Sequence, residues 1–159
     1  NGQLMYLAVR RGEEPLRVFP DELIREYTIT VTRPQQWYLV PGLAAAFLVR
    51  LGEATGEEAF LQVAQSYVQF CDSVADDRYS IPQSGFFGWA ASMLFAATGN
   101  VNYQRIASSV LANLVARQNS DGSWSQPSLP SDLPGAKTDA TAESIILILE
   151  TLDNLEAGA

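Results

Sequence analysis

Two acids four residues apart, Asp139 and Glu143, have the type and spacing in this chain best suited to chemistry. Four residues is about one helical turn, so a helix through them sets both carboxylates on one face. At a cavity mouth such a pair can serve as general acid and general base, with apolar neighbours raising the pKa of Glu143. The same residues have a structural use: Thr138 or Asp139 can cap a helix while Glu143 complements its dipole. Aromatic residues able to line a site are Trp37, Tyr38, Tyr79, Phe86, Phe87, Trp89 and Trp124. Rings of this kind hold cations on their faces, stack on sugars, or simply fill a core. The chain has no histidine, which excludes Ser-His-Asp and Cys-His catalysis and His-ligated zinc within it. Its one cysteine, Cys71, sits among Val68, Phe70 and Val74 and reads as a buried, inert thiol. We expect neither a metal nor a cofactor.

The elements that must position these residues are helices. Over residues 57–76, Phe60, Val63, Tyr67, Phe70 and Val74 recur at three- and four-residue steps. Over residues 100–119, Tyr103, Ile106, Val110, Leu111 and Leu114 do the same. Both segments predict amphipathic helices with one buried face. Residues 43–51, 86–97 and 140–152 are instead apolar almost all round, which predicts helices enclosed by others. Enclosed and amphipathic segments alternate along the chain. Ala54-Thr55-Gly56 and Ala97-Thr98-Gly99 recur 43 residues apart, and at that offset Phe60 matches Tyr103, Val63 matches Ile106 and Ala64 matches Ala107. The unit is therefore an αα-hairpin of inner helix, tight glycine turn and outer helix.

Hairpins of this kind stack side by side, because one hairpin cannot bury its inner helix alone. The fold class read here is all-α: repeated hairpins forming about half of an α/α toroid, or otherwise a curved solenoid. Residues 1–159 form one such region, with residues 39–159 as hairpin repeats and residues 1–38 as a helical lead-in. Within the lead-in, residues 3–11 and 21–27 read as short helices. The outer-to-inner connections, roughly residues 29–41, 77–85 and 120–138, are long, and the last holds Pro127, Pro130 and Pro134. They emerge at the end of the bundle that carries the inner-helix N-termini, which marks the expected working face. Glu150 stands among Ile148, Leu149 and Leu152, and a pair with Arg50 would satisfy it if buried.

The string Gln118-Asn119-Ser120-Asp121-Gly122-Ser123-Trp124 resembles the Q-x₃-G-x-W end of the QW motif of squalene and oxidosqualene cyclases. Residues 138–143 and 88–91 also resemble inner-helix starts in that terpenoid cyclase and protein prenyltransferase superfamily. The match is partial, because Asn113 stands where the motif has an aromatic residue. The resemblance covers residues 40–155 and implies a toroid in which Gln118, Gly122 and Trp124 are structural. The Gln would close a helix end and stack on the Trp, tying neighbouring hairpins. It also implies an isoprenoid or other apolar substrate in a cavity whose aromatic faces stabilise carbocations. Val74-Ala75-Asp76-Asp77 keeps only the acidic end of the D-x-D-D motif by which such enzymes protonate an alkene. No D-D-x-x-D motif is present, and the zinc of the prenyltransferases lacks its histidine here.

Composition closes off other classes. Apolar residues make up 47% and charged residues 18% of the 159, a globular balance. With 18 acids against 10 bases the net charge is −8, which argues against nucleic acid and anionic membrane as partners. No apolar run reaches the ~20 residues of a spanning helix and no secretory signal opens the chain. A single cysteine leans the reading to the cytoplasm. The chain begins at Asn1 and not at Met, and is read as a fragment, a processed product or an excised piece, with parts of a site expected upstream. Half a ring leaves inner helices uncovered, so it would self-associate or be linked to a missing half. Three functions stay open: a terpenoid cyclase-like enzyme, a carbohydrate-active α/α-toroid enzyme with a sugar substrate, and a non-catalytic helical-repeat binding or scaffold domain.

Overall fold

Two threonine-glycine turns organise the chain into helical hairpins. In the computed structural model, which describes residues 3–5, 28–125 and 135–159, α1 (Leu39–Thr55) is followed by α2 (Glu58–Asp72), and α3 (Gly85–Thr98) by α4 (Val101–Ala116). A fifth helix, α5, spans Ala136–Ala157. Gly56 and Gly99 end α1 and α3 in the left-handed conformation, at φ 73° and 66°, a region that glycine enters without steric cost. Each N–H closes the last helical turn, on Gly52 O at 2.9 Å and Phe95 O at 2.8 Å. The preceding threonines act alike: Thr55 Oγ1 donates to Leu51 O and Thr98 Oγ1 to Leu94 O. Each hydroxyl then accepts from the backbone N–H two residues on, that of Glu57 or Asn100.

The described residues form an all-α fold apart from one short ribbon. β1 (Gln3–Met5) pairs antiparallel with β2 (Thr28–Thr30), Leu4 opposite Ile29. The helix expected over residues 3–11 therefore opens as a strand. β-branched Thr28, Ile29 and Thr30 suit a pleated surface, and the fully buried Ile29 anchors it. The rest of that segment and the helix expected over residues 21–27 lie outside the described residues. Gln36, 1% exposed, extends the pairing by side chain: its Oε1 accepts from Thr30 N at 2.6 Å, and its Nε2 donates to Thr30 O at 2.8 Å and Arg33 O at 2.5 Å.

α1, α3 and α5 form an inner row with α3 at its centre, while α2 packs outside α1, and α4 outside α3 and α5. Small residues allow the close approaches. A Cβ on Gly42 of α1 would lie 2.5 Å from the backbone carbon of Phe86 in α3, and one on Gly88 would lie 2.6 Å from Val110 of α4. Buried Asn154 of α5 donates to Ser92 Oγ of α3 at 3.2 Å, pairing two polar groups that would be costly alone. The core gathers Tyr38, Val49, Ala64, Val68, Cys71, Phe87, Leu94, Ile106 and Val110 along these contacts.

Two readings of burial change. The enclosed face of α2 runs through Ala64, Val68 and Cys71, and Val63, expected inside, is 46% exposed. Only α3 is enclosed as its sequence predicts, with Phe87, Gly88 and every residue from Ala90 to Phe95 buried. α1 leaves Leu43 and Phe47 exposed, and α5 leaves Ile145, Ile146, Leu149 and Leu152 exposed. The reason is position in the row: α3 has an inner neighbour on both sides, whereas α1 and α5 flank it.

Candidate functional site

The uncovered apolar sides of the inner row meet in a hollow of about 460 Å³. Leu43 of α1, Phe86 and Trp89 of α3, and Asp139, Ala142, Glu143, Ile146 and Leu147 of α5 line it. Every one of these residues except Leu147 falls in the first half of its helix, so the hollow lies toward the end where the inner helices begin. Leu43 and Phe86 stand 43 residues apart, the offset of the two glycine turns. The volume lies within the ~300–1,000 Å³ range of small-molecule sites.

The structure brings Asp139 and Glu143 together here, one turn apart on α5. Asp139 is exposed, while Glu143 is half-buried and its carboxyl is pushed above the ordinary glutamate value by burial. Glu143 and Leu147 also line a second hollow of about 20 Å³ with Pro82, Leu114, Arg117, Trp124, Ser125, Ala140 and Ser144. That space holds about one water. Glu143 thus stands between a small, partly polar space and a large apolar one. Arg117, on the far side of the small hollow, donates to Ser80 O at 3.2 Å, and burial lowers its pKa.

The capping role offered for Thr138 or Asp139 is not what the helix start shows. α5 begins at Ala136, with Gly135 at the N-cap position in the left-handed conformation and no side-chain cap. Asp139 therefore lies one turn inside the helix. Lys137, in the same turn, pairs with Asp121, whose Oδ2 accepts from Nζ at 2.6 Å.

Of the aromatic candidates, Phe86 and Trp89 line the large hollow. Tyr38 is fully buried, its ring 6.0 Å from that of Phe87, and burial followed by the charge of Asp77 raises its phenol. Tyr79 stacks on Phe87 at 6.3 Å and 5°; its hydroxyl donates to Asp72 and accepts from Arg105 at 2.8 Å. These two rings are core and brace. Trp37 is 51% exposed and does not line the hollow.

Trp124 is buried and closes a helix end. Its Nε1 donates to Leu114 O at 2.8 Å, in the last turn of α4, and its backbone N donates to Thr141 Oγ1 of α5 at 3.0 Å. Gln118 Nε2 donates to Gly122 O at 3.0 Å, and Asn119 N to Ser123 O at 2.8 Å, closing the loop between them. Gln118, Gly122 and Trp124 thus belong to a turn that fastens α4 to α5. Leu114 O also accepts from Arg117 N at 3.2 Å, so the last turn of α4 is held by the Trp124 side chain as well as by its own backbone.

Other candidates lie elsewhere. Asp76 is fully exposed, 3.8 Å from Arg78, and Asp77 accepts from Gln35 N at 2.7 Å. Glu150 is exposed and Arg50 pairs with Glu53 at 3.1 Å, so the expected Arg50–Glu150 pair does not form. Cys71 is buried, and burial then the nearby Asp72 push its thiol up to about 12. Among the described residues no three potential metal ligands of the His, Cys, Asp and Glu types come together, and no helix is long and apolar enough to cross a membrane.

Sequence reasoning missed Leu43, Ala142, Ile146 and Leu147 as lining residues. Their signal was present as surplus apolar character, which was read as enclosure. A scan against protein-family models gives no match, and searches of the curated proteins and of the solved structures give none either.

Proposed function

We propose that the inner row of helices is the wall of a binding site for an apolar ligand of isoprenoid type, in a terpenoid cyclase-like α/α arc. The observation that carries this is the hollow itself: apolar side chains of α1, α3 and α5 are left uncovered side by side, where ordinary core packing would hide them. Recurrence of the same threonine-glycine turn at a 43-residue offset supports reading the hairpins as repeats. The fastening of α4 to α5 by Trp124 supports the likeness to the QW motif. In this reading Glu143 is the group placed to give or take a proton, with Asp139 beside it at the rim. Exposed Phe47, Leu149 and Leu152 continue the apolar strip beyond the hollow, where a second half-ring or a second copy would cover it. An apolar ligand fits better than a sugar, because among the lining residues only Trp89 and the two acids carry hydrogen-bonding side chains.

The test is displacement of a neutral naphthylamine dye from the protein by a prenyl alcohol. Ile146→Asn is the informative variant, since Ile146 is 60% exposed and its loss costs the fold little. Dye binding with prenyl displacement, weakened about tenfold by Ile146→Asn, is the expected result; a methyl-to-amide change of this size against an apolar ligand is worth about 1–2 kcal/mol. Absence of displacement overturns the reading.

A further inference from the structure

Resting on that apolar-site reading, we propose that the hollow selects a ligand whose polar end is a positively charged nitrogen and rejects one that ends in a carboxylate or a phosphate. The argument is charge complementarity. Two carboxylates, Asp139 and Glu143, edge the hollow, and no Lys or Arg is among its described lining residues. The nearest base along α5, Lys137, is committed to Asp121. Arg117 lies across the small hollow on the other side of Glu143 and donates to Ser80 O.

An anionic head brought between Asp139 at the exposed rim and the half-buried Glu143 meets like charge on both sides, least screened beside Glu143. An ammonium in the same place meets two opposite charges and can also lie against the faces of Phe86 and Trp89, an arrangement that stabilises cations more strongly as water is excluded. The apolar tail then follows Leu43 and Ile146. The chain's net charge of −8 reinforces the preference at longer range without defining the place.

The experiment compares three prenyl ligands of one chain length, ending in an amine, an alcohol and a carboxylate, in the same dye-displacement format on the wild-type chain, Asp139→Asn and Glu143→Gln. The amine binds on the order of tenfold tighter than the alcohol, as expected of an ion pair reinforced by an aromatic face, and the carboxylate binds weakest. Each amide variant weakens the amine more than the alcohol and so reduces the amine's advantage. Equal binding of all three overturns the proposal while leaving the apolar site standing, as does an amine advantage that both variants keep. Failure of all three to bind removes the apolar-site reading itself.

Discussion

Gly42→Ala tests the packing that shapes the hollow. The added methyl would lie 2.5 Å from Phe86 C, 2.6 Å from Phe87 N and 2.8 Å from Phe86 O. All three are backbone atoms of α3, so no rotamer change can clear them, and ordinary contact requires the two helices to part by about 1 Å. Overpacking of this kind costs ~1–3 kcal/mol, and the upper part of that range applies where the obstacle is backbone. Replacing a glycine inside a helix returns about 1 kcal/mol through propensity. The expected balance is a loss of about 2 kcal/mol, which in a chain of this length lowers Tm by ~4–8 °C. Calorimetry or thermal circular dichroism reads it. Leu43 adjoins the substituted position and Phe86 receives the clash, so displacement of the dye by prenyl alcohol weakens in the same variant. Gly56→Ala is the control: nothing lies within 4 Å of its Cβ, and its cost is the left-handed backbone alone, ~1–2 kcal/mol, with no effect on binding. A rise in Tm for Gly42→Ala, as expected for a helical glycine with room beside it, would refute the close crossing of α1 and α3.

Three further outcomes follow from the geometry. Trp124→Phe keeps the ring body but strips the bond to Leu114 O, so unfolding free energy falls by about 1 kcal/mol with α4 amide exchange accelerated near its C-terminus. Cys71, with its thiol pushed up to about 12, resists alkylation in the folded chain at mildly alkaline pH and reacts at once in denaturant; rapid labelling of the native chain contradicts its burial. Glu143 has a folded pKa raised by burial above the ordinary value of 4.5, so the native state holds its proton longer than the unfolded state does. Its contribution is favourable below the unfolded pKa and is lost as pH rises through the folded one. Glu143→Gln therefore raises Tm relative to wild type at neutral pH, with the gap closing below the ordinary glutamate value, and a gap independent of pH would contradict the burial.

The helical order was legible because it rests on local rules. Thr-Gly turns, a 3.6-residue period and polar outer faces fix α1 to α4 within a few residues, and Asn100 caps α4 through its side chain on Asn102 N as its type suggests. The start of α5 was set late by sequence because Gly135 and Ala136 carry no apolar pattern, although both belong to its beginning. The first strand was illegible for a different reason: its three residues pair with Thr28–Thr30, which lie far along the chain. The acids and two of the rings of the hollow could be named in advance. Its aliphatic wall could not, since a helix apolar on all sides reads the same whether its last face meets another helix or a ligand. Leu43 and Ile146 acquire their role from where α1 and α5 stand beside α3, which is tertiary information.

Methyl-resolved NMR titration of the chain with prenyl alcohol addresses the central claim most directly, because the fold carries its own control. Leu43, Ile146 and Leu147 line the hollow, whereas Val101 and Val115, 67% and 51% exposed, lie on the outer helix α4. Saturable shifts at the first three, with Val101 and Val115 unmoved, are the predicted result. Equal shifts at both sets, or shifts confined to α4, would contradict a ligand site on the inner row.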